Sequence, residues 1–568
     1  MVSTILTLHD PRTARAYHEA GFWREDTLYS LLRRHAQARP DAWALRDSQR
    51  RLTWSALAGW VDALAAELHA AGLKRGSRVS IWLPNRAEAV VVLLACSRNG
   101  YVCNPSLHQN YTVAEVLQLM ERIQSAALFA QPGHGADAGR ADIFAAARAL
   151  ASMKRVWRLA PRGTAASPLP DEAAFPAPGR AADADSLPPP DLNPDKVVYL
   201  AFTSGTTGLP KGVLHSDNTL LANGRAMVRD WRHDERTVLL SLSPLSHHIA
   251  TVAIEQSLAA GFELVVNDPP PGAKPLDWLL ETGATYVMGV PTHAIDILAD
   301  MKRGGLARLG RVSVFYMAGS MIPPETARAF LDIGVKPQNI YGMTENGSHQ
   351  YTSPDDDAET ITMTCGRACH GYETRLFDQE DPDREAAPGA IGEIGTRGAL
   401  LMLGYFDNQA ATESSFNAGG WFMSGDLGCF DARGNLQIVG RKKDLIIRGG
   451  HNIHPARIEN LALRHPAILK AAAFPIADQR LGERVCLAVI ARDGTAVSAD
   501  EALAHLAAAG LSKYDMPEYF IAMDAFPLTA SGKILKRELV EWTKTGRIAP
   551  QPVRWLSPGG PAPELQNR

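Results

Sequence analysis

The spacing of apolar positions predicts a chain built mainly from parallel sheets covered by helices. Residues 54–73 repeat apolar positions with the spacing of an amphipathic helix, and residues 78–83 are predicted to form a strand that ends at Pro84-Asn85. The run at 89–96 is apolar throughout but too short to span a bilayer, so it indicates a buried helix. Further strands, separated by helical stretches, are predicted at 197–202, 238–242, 264–267, 285–290 and 312–317. Strands that alternate with helices are typical of parallel sheets with helices on their faces.

The pattern changes toward the C-terminus, which predicts smaller units after the main domain. Residues 392–398 and 434–439 look like short antiparallel strands of a smaller subdomain. A boundary is expected just beyond them, followed by roughly 100 residues, which is enough to fold alone. We therefore expect one domain at 1–441, a second at 442–545, and a disordered tail, rich in proline and polar residues, at 546–568.

Composition is ordinary for a soluble globular enzyme, and the net charge does not favour nucleic acid or an anionic membrane as partner. The chain has 568 residues, too many for one hydrophobic core, with 46% apolar and 21% charged residues. A formal net charge of −3 gives no electrostatic reason to expect nucleic acid or an anionic membrane as partner. The first residues lack a basic region followed by a long apolar stretch, so we expect no signal peptide, no transmembrane segment and a cytoplasmic location.

The six cysteines are scattered, and reduced core thiols are the expectation. The run Cys365-x-x-x-Cys369-His370 has part of a zinc-ligand pattern. It lacks a second ligand cluster at a useful spacing, so we expect no zinc site.

Residues 203–212, Thr-Ser-Gly-Thr-Thr-Gly-Leu-Pro-Lys-Gly, follow a predicted strand and have the chemistry of a phosphate-binding loop. Glycines let the backbone approach an anion, hydroxyls and backbone N–H groups donate hydrogen bonds to it, and Lys211 adds a positive charge. The pattern differs from the Walker loop, which has four residues between a glycine and a Gly-Lys pair. A plain surface turn of similar composition is the alternative.

Two short motifs place a carboxylate beside aromatic and small residues. In Tyr341-Gly-Met-Thr-Glu345 the ring can stack on a base, the hydroxyl can bond phosphate, and the carboxylate can hold Mg²⁺, which prefers oxygen ligands. In Trp421-Phe-Met-Ser-Gly-Asp426 the carboxylate can accept hydrogen bonds from the two hydroxyls of a ribose. Either motif alone could also be an ordinary turn.

These motifs, with others in the same order from about Leu28 to Trp542, resemble the adenylate-forming enzymes: acyl-CoA synthetases, luciferases and the adenylation domains of peptide synthetases. The resemblance implies an α/β fold, with a large N-terminal domain of helix-covered, mainly parallel sheets and a small β-barrel-like subdomain. It also implies a small, mobile α+β C-terminal domain that carries a catalytic lysine. ATP and coenzyme A are the implied co-substrates, and Mg²⁺ is the implied cofactor.

The same resemblance implies roles in nucleotide binding. Tyr341 lies against adenine, Thr344 contacts the α-phosphate, and Glu345 binds Mg²⁺. Asp426 anchors the ribose, and Arg441 lies near ribose and phosphate. The complete nucleotide-binding set is Thr203, Ser204, Gly205, Thr206, Thr207, Gly208, Lys211, Ala318, Gly319, Ser320, Tyr341, Gly342, Asp426 and Arg441.

Two further segments resemble the walls of the family's acyl pocket. Pro244-Leu-Ser-His247-His-Ile-Ala250 is similar to a segment whose histidine or aromatic residue separates the acyl group from ATP, and His247 takes that position. A core histidine with satisfied hydrogen bonds is the alternative. Met317-Ala-Gly-Ser320 is similar to a segment that borders adenine and the acyl group. The pocket is expected to be lined by His248, Val252, Met288, Gly289 and Met317.

The C-terminal region resembles the family's mobile domain. Lys533, in Thr-Ala-Ser-Gly-Lys, matches the lysine that reaches the carboxylate and the α-phosphate during adenylation, so we count it as catalytic with Thr344, Glu345 and His247. The family's hinge falls at Lys443. The segment Gly449-Gly-His-Asn-Ile-His-Pro455 matches the loop beside the pantetheine tunnel, which Gly449, Gly450 and His451 are expected to line.

The function expected from this resemblance is ATP-dependent ligation of a carboxylic acid to coenzyme A through acyl-AMP. The motifs look most like those of ligases for medium-chain or alicyclic acids, including cyclohexanecarboxylate, so the acid, ATP and coenzyme A are the expected partners. Alternatives are an aryl acid:CoA ligase, an enzyme that loads a carrier protein, a light-emitting luciferase and a catalytically inactive nucleotide sensor. Amino acids are disfavoured because His248 stands where amino-acid-activating members carry an aspartate. A homodimer is left open.

Overall fold

The computed structural model describes residues 10–164, 173–179, 187–203, 210–319, 322–492, 494–528 and 534–555. Internal contacts divide the chain into two units. The first comprises Met1–Arg375, Gly395–Met423 and Asp431–Gln437, and the second comprises Leu376–Ile394, Ser424–Phe430 and Ile438–Arg568.

The helices are α1 Pro11–Glu19, α2 Leu28–Ala38, α3 Trp54–Ala70, α4 Ala87–Asn99, α5 Val113–Arg122, α6 Ile143–Arg148, α7 Asp217–Asp230, α8 His248–Ala260, α9 Pro275–Thr282, α10 Pro291–Arg303, α11 Pro324–Asp332, α12 Ala358–Met363, α13 Gln409–Glu413, α14 Pro455–Leu463, α15 Ala499–Ala508 and α16 Lys536–Lys544.

The strands are β1 Trp43–Arg46, β2 Arg51–Thr53, β3 Arg78–Trp82, β4 Val102–Asn104, β5 Ser125–Ala130, β6 Arg155–Arg158, β7 Val197–Thr203, β8 Lys211–Ser216, β9 Val238–Ser241, β10 Glu263–Val266, β11 Tyr286–Gly289, β12 Val314–Met317, β13 Lys336–Met343, β14 Gly347–Tyr351, β15 Arg367–Ala368, β16 Tyr372–Phe377, β17 Gly392–Gly398, β18 Gly404–Phe406, β19 Phe422–Phe430, β20 Leu436–Arg441, β21 Ile446–Arg448, β22 His451–Ile453, β23 Ile468–Asp478, β24 Gly482–Ala491, β25 Tyr519–Ala522 and β26 Gln551–Pro552.

The largest sheet of the first unit has nine strands in the order β15-β14-β13-β12-β11-β9-β10-β1-β2. Its central strands, from β13 to β1, pair in parallel, while β2, β14 and β15 extend it antiparallel. Successive side chains of a strand face opposite sides. Met288 and Tyr316 therefore pack in the cluster that contains α8. Val287 and Phe315 pack on the other face, in the cluster that contains α9, α10 and α11.

A second sheet of the first unit has seven strands in the order β18-β8-β7-β4-β3-β5-β6. Strands β3 to β7 pair in parallel, and β8 runs antiparallel to both β7 and β18. The apolar run at 89–96 forms α4, whose 13 residues are all buried, as the sequence predicted. The helix ends at Gly100, which adopts the left-handed conformation (φ 71°) that glycine tolerates best.

The second unit contains a sheet built on the long hairpin of β23 and β24. Both faces of this hairpin are covered, and its apolar residues alternate between them with a period of two. Leu487 and Val489 pack in a cluster with residues of α14 and α15. Phe474 and Cys486 pack in a separate cluster that includes Leu539 of α16. The sheet order is β22-β21-β24-β25-β26, with β23 paired to β24.

The expected α/β class with mainly parallel sheets is confirmed. The strands predicted between residues 197 and 317 are β7, β9, β10, β11 and β12, each within a few residues of the predicted bounds. The two short strands predicted near residues 395 and 436 are β17 and β20, members of a four-stranded sheet in the order β16-β17-β19-β20. Among the helices described, none combines the length and the apolar character that crossing a lipid bilayer requires.

The start of the predicted disordered tail is ordered in the structure. Gln551–Pro552 forms β26, which pairs antiparallel with β25. Val553 and Trp555 pack against the cluster that contains α14 and α15. These apolar contacts explain the difference. The proline and polar content of the segment predicts disorder, but Val553 and Trp555 are apolar and can be buried. Residues beyond Trp555 lie outside the described part.

Helices α7 and α8 approach each other closely at Gly224. A Cβ placed on Gly224 would lie 2.6 Å from the carbonyl carbon and 2.7 Å from the carbonyl oxygen of Glu255. Both contacts are with backbone atoms, which cannot rotate away. The absence of a side chain at Gly224 therefore sets the distance between the two helices.

We expect Gly224→Ala to destabilise the first unit by about 1–3 kcal/mol, because the added methyl group forces α7 and α8 apart. A lower apparent Tm in a thermal unfolding scan would show the effect. Gly59→Ala is the matched control: Gly59 also lies inside a helix, α3, but its Cβ would meet no atom within 4 Å. Alanine there should raise stability by up to about 1 kcal/mol. Equal effects at both positions would contradict the packing argument.

Candidate active site

The carboxyl edge of the nine-stranded sheet carries several of the predicted site residues. Strands β11 and β12 are paired at Gly289 and Met317, where both strands end. Just beyond, the Ala318 N–H donates to the Gly289 carbonyl at 3.3 Å, and Gly319 turns the chain with a φ of +91°. Small residues thus form this edge, which is where parallel sheets bind ligands. Ser320 lies outside the described residues.

Thr344 and Glu345 lie in the tight turn that joins β13 to β14. Asn346 closes the turn, since its side-chain oxygen accepts a backbone N–H of β13 at 3.0 Å. Gly342 is required by the hairpin itself, because a Cβ there would lie 1.9 Å from the Gly347 carbonyl oxygen. The turn therefore presents Thr344 and Glu345 beyond the last hydrogen-bonded pair of the two strands.

Lys211, Tyr405 and Glu345 form a chain of contacts between β8 and this turn. The Lys211 Nζ lies 4.5 Å from the centre of the Tyr405 ring. The Tyr405 hydroxyl donates to Glu345 Oε1 at 3.0 Å. Burial, followed by the nearby Glu345 carboxylate, raises the pKa of Tyr405, so the phenol keeps its proton and remains a donor. An amine thus lies over the face of this ring and a carboxylate at its hydroxyl, and these are groups that can bind a polyphosphate together with a divalent cation.

The predicted phosphate loop is the connection of a β-hairpin. Thr203 and Lys211 are directly opposite each other in the antiparallel pair of β7 and β8. Strand β8 then leads into α7, where Ser216 caps the helix by accepting a hydrogen bond from the Thr219 N–H at 3.2 Å. Five predicted loop residues lie outside the described part, and their contacts stay a prediction: Ser204, Gly205, Thr206, Thr207 and Gly208.

His215 supports the turn that carries Thr344. Its Nε2 lies 2.7 Å from the Thr344 carbonyl oxygen, which accepts the hydrogen bond. Burial lowers the pKa of His215 to about 4, so the ring is neutral at pH 7 and carries its proton on Nε2. The His248 ring stacks on it at 5.4 Å, and burial, then His215, lowers the pKa of His248 as well. Two neutral imidazoles therefore support this side of the site.

Three of the predicted acyl-pocket residues come together between α8 and the nine-stranded sheet. His248 and Val252 are four residues apart and share one face of α8. Met288, on β11, contacts the same helix, since Gln256 Nε2 donates to its sulfur at 3.3 Å. Gly289 follows Met288 at the end of the strand. The structure brings His248, Val252 and Met288 together, and their role in an acyl pocket stays a prediction. A Cβ on Gly289 would meet His293 and Leu242, on the other face of the sheet.

The placement of Met317 in the acyl pocket is wrong. Its side chain packs with Ile297 and Phe330 in the cluster on the opposite face of the sheet. Tyr316, one residue earlier, packs in the cluster that contains Met288 and α8. Motif position alone could not distinguish the two residues, because successive strand residues face opposite sides.

His247 is the residue before α8 and lies in a group of aromatic rings. Its ring is 4.4 Å from the ring of His108, whose Nδ1 lies 3.0 Å from the Ser246 hydroxyl oxygen. Burial, and then His247, lowers the pKa of His108 to about 3. Tyr111 completes the group at 5.2 Å from His108. The structure thus places His247 among aromatic rings, and both its wall position and its catalytic role stay predictions.

In the second unit, Asp426 and Arg441 form an ion pair, and their roles at a ribose stay predictions. The Arg441 Nε lies 3.0 Å from Asp426 Oδ1, and the aspartate side chain is largely buried. Next to them, Lys442 Nζ pairs with Glu393 Oε2 at 2.8 Å. The predicted hinge residue, Lys443, is exposed in a single turn of 3₁₀ helix at Lys442–Asp444. Lys533 lies outside the described residues.

Gly449 and Gly450 form the two-residue turn between β21 and β22. Their φ values are 58° and 85°, and a turn with positive φ at both positions is the type that favours glycine most strongly. The hairpin therefore accounts for both glycines, and a contact with the thiol arm stays a prediction. His451 is exposed and its Nε2 lies 2.8 Å from Asp515 Oδ1.

The residues of the first unit fit a magnesium ion that is bound together with a nucleotide. Glu345 supplies a carboxylate that one phenol orients, and Mg²⁺ is commonly held by one or two carboxylates plus substrate phosphates. Within the described ranges, no three His, Cys, Asp or Glu side chains form a group that could hold a metal by themselves. Burial raises the pKa of Cys369, in agreement with a protonated core thiol.

The sequence analysis did not identify four side chains that contact or pack beside predicted site residues: Tyr405, His215, Tyr316 and Tyr199, whose hydroxyl oxygen lies 3.4 Å from His248 Nδ1. Tyr405 and His215 orient the predicted residues Glu345 and Thr344 from other elements. No short motif links such pairs, since 60 and 129 residues separate the partners. A partial signal exists for Tyr199 and Tyr316, because each follows the period-two pattern of a strand whose other face is also apolar.

Comparison with known proteins places these features in a family. Residues 32–406 match the AMP-binding enzyme family, and residues 457–533 match the AMP-binding enzyme C-terminal domain. The medium-chain fatty-acid–CoA ligase of Escherichia coli K12 is 30% identical over 94% of this chain and 93% of its own length. The salicylyl-CoA synthase / salicylate adenylyltransferase of a Streptomyces species is 32% identical over 93% and 95%. The ATP-bound crystal structure of MatB from Rhodopseudomonas palustris matches with a TM-score of 0.78 at 27% identity, over 91% of this chain and 99% of that one.

The buried histidines predict a loss of stability in mild acid. Burial lowers the pKa of His215 to about 4, whereas the unfolded chain titrates near 6.5. Between those values the unfolded state binds more protons than the folded one, so stability falls as pH decreases from 6.5 toward 4. His215 alone should contribute a loss of about 2 kcal/mol by pH 5.

Urea unfolding at pH 7 and pH 5 measures this effect. His215→Gln removes the titrating ring and should reduce the difference between the two pH values. The control is His69→Gln, at an exposed position near the end of α3, which should leave the difference unchanged. A wild-type stability that is constant from pH 7 to pH 5 would contradict the expectation.

Proposed function

Because the chain belongs to the AMP-binding enzyme family, we propose that it joins a carboxylic acid to coenzyme A at the expense of ATP. It is thus an acid–thiol ligase, and its relatives include CoA ligases for acids as different as medium-chain fatty acids and salicylate. The single observation that carries the proposal is the Lys211–Tyr405–Glu345 chain, which holds a cation and a carboxylate beside the Thr344 turn.

In the first half-reaction, a carboxylate oxygen of the acid attacks the α-phosphorus of ATP, a P–O bond forms, and pyrophosphate leaves with the bridging oxygen. The repulsion between carboxylate and polyphosphate must first be reduced. Two unit charges 4 Å apart interact by about 1 kcal/mol in water and by about 4 kcal/mol at an effective dielectric of 20. The Lys211 ammonium is proposed to offset that repulsion, and the Thr344 hydroxyl is proposed to donate to a phosphate oxygen.

Glu345 would hold Mg²⁺ through a carboxylate oxygen, and Tyr405 keeps that carboxylate oriented. When bound, the ion polarises phosphate oxygens and neutralises charge that develops on the leaving group. Tyr341 is proposed to contact the base. In the second unit, the Asp426 carboxylate is proposed to accept hydrogen bonds from the ribose hydroxyls, with Arg441 beside it.

In the second half-reaction, the thiolate of coenzyme A attacks the acyl carbon, a C–S bond forms, and AMP leaves with both electrons of the C–O bond. By family resemblance, Lys533 acts in the first half-reaction and is not required in the second. Lys443 is proposed as the hinge, and Gly449, Gly450 and His451 as the wall of the pantetheine path. The domain bounds proposed from the sequence, 1–441 and 442–545, belong to this same scheme.

The acid is proposed to be medium-chain or alicyclic. His248, Val252 and Met288 supply largely apolar surface between α8 and the sheet. One methylene changes binding by only about 1–3 kcal/mol, so such a wall selects an acid class and not a single chain length.

Loading of a carrier protein is the second candidate function. The enterobactin synthase component E of Escherichia coli K12 is 29% identical over 93% of this chain, and its name is that of a component of a synthase and not of a CoA ligase. Thioester formation with free coenzyme A separates the two functions: turnover with the free thiol supports the ligase, and its absence together with normal pyrophosphate exchange favours a carrier protein.

Lys533→Ala is expected to block acyl-AMP formation from ATP while it spares thioester formation from supplied acyl-AMP, because the lysine serves only the charge on the α-phosphate. Both half-reactions are measured by chromatography. Lys536→Ala, a nearby lysine whose Nζ pairs with Glu459 Oε1 at 2.7 Å, is the control and should retain both. Unimpaired adenylation by Lys533→Ala would refute the role.

Glu345→Gln is expected to lower ATP–pyrophosphate exchange by about 100-fold or more, since it removes the proposed ligand for the cation on the phosphates. Isotope exchange measures this step without coenzyme A. Glu359→Gln, at an exposed site on α12, is the matched control and should behave like the wild type. Comparable exchange by both variants would show that Glu345 has no part in the reaction.

A further inference from the structure

Glu255 of α8 is a buried acidic side chain without a hydrogen-bonding partner among the residues that the structure describes. Its side chain has 0% exposure, and neither Oε1 nor Oε2 accepts a hydrogen bond from any group in the part of the chain that the structure describes. A carboxylate in that state is costly unless it gains a hydrogen-bonding partner or a proton. Burial raises the pKa of Glu255 well above its usual range, so the side chain is a neutral carboxyl group that can both donate and accept.

Glu255 lies on the face of α8 that carries the proposed acyl pocket. His248, Thr251, Val252 and Glu255 follow the three-to-four-residue spacing of one helix face. Seven residues separate His248 from Glu255, a distance of roughly 10 Å along the helix. Glu255 is therefore about two turns further along α8 than His248, the first residue of the helix. The part of the proposed pocket beside Glu255 is called its deep end below.

A row of four side chains, three of them polar, crosses the sheet beneath this helix. Strand pairing aligns Ser241 with Met288, Met288 with Tyr316, and Tyr316 with Gln338, so the four side chains share one face. Two of them also contain polar atoms for which no described protein group provides a hydrogen bond: Ser241 Oγ and Gln338 Nε2.

Gln256, next to Glu255, adds one more such atom, because its Oε1 has no hydrogen-bond partner among the described residues. Its Nε2 donates to Met288, a proposed pocket residue, at 3.3 Å. Burial is the first cause of the raised pKa of Tyr199 and of Tyr316, and each phenol is also close enough to Glu255 to feel its charge when that group ionises. Unused hydrogen-bonding capacity is therefore concentrated at the deep end of an otherwise apolar wall.

We propose that this deep end recognises a neutral oxygen group, a keto or hydroxyl oxygen, at the far end of the acid, and that Glu255 is the specificity-determining residue. The inference rests on the proposed function and narrows its substrate class from a purely apolar acid to an oxygenated one. A site built to hydrogen-bond an oxygen discriminates strongly against the analogue that lacks it, since its buried polar groups are then left unpaired.

The test uses the full-length protein and matched pairs of acids, scored by CoA-dependent AMP release. One pair is octanoate and its keto analogue with the carbonyl next to the terminal methyl; the other is cyclohexylpropanoate and its ring ketone. The wild type is expected to show a kcat/KM at least about tenfold higher for the keto member of one pair. Equal or lower values for the keto member in both pairs would overturn the inference.

Variants show whether Glu255 is responsible. Glu255→Leu should lower kcat/KM for the keto acid, so that the ratio of kcat/KM between the keto acid and its unsubstituted parent falls close to one. Glu255→Gln should retain part of the preference for the keto acid. Glu263→Gln, which removes another buried carboxylate that pairs with Arg51, should leave the ratio unchanged. A folded Glu255→Leu with the wild-type ratio would refute the assignment even if its stability were altered.

Two further outcomes separate this inference from the proposed function. A clear preference for the analogue with a terminal amino group would require an ionised Glu255 and would overturn the assignment of a neutral oxygen. If none of the acids gives CoA-dependent AMP release, the proposed function is overturned, and this inference with it. Should Glu255→Leu fail to fold, the wild-type pairs and Glu255→Gln decide the question.

Discussion

The hydrogen-bond register of the nine-stranded sheet is the constraint on which the candidate site depends. Parallel pairing at Gly289 and Met317 ends two strands together and brings their following loops to one edge. The same pairing aligns Met288 with Tyr316 beneath α8. A shift of one residue would move Met288 to the face that α10 and α11 cover, and Val287 would take its place. Packing on both faces therefore fixes the position of the proposed pocket as well as the stability of the sheet.

Much of the fold could be predicted because the lengths and periods of short apolar segments indicate their secondary structure. The apolar run within α4 and the strands β7 and β9 to β12 have lengths and periods that few alternatives fit. The motifs also linked Asp426 with Arg441, and the two side chains form an ion pair in the structure, while their roles stay predictions. Such pairs could be found because family resemblance supplies contacts between distant segments, which periodicity cannot.

The remaining features depend on three-dimensional contacts that leave no local signal. Met317 was placed on the wrong face because a motif gives the order of residues and not the direction of each side chain. The tail was predicted as disordered because Val553 and Trp555 are isolated apolar residues in a polar context. Tyr405 and Glu255 were missed for a related reason, because the importance of each comes from its surroundings in space. Tyr405 contacts the Glu345 carboxylate, and Glu255 has no hydrogen-bonding partner among the described residues.

The many buried imidazoles also affect the electrical behaviour of the whole molecule. Burial is the largest cause of a lowered pKa at His35, His108, His134, His215, His233, His248, His293, His349 and His454. An isoelectric point of about 6.6 follows from composition alone, on the assumption that every histidine protonates as it does in a peptide. Since these nine acquire less positive charge near that pH, the folded protein reaches electroneutrality only in more acidic solution. Its migration in a focusing gel therefore reports folding as well as composition.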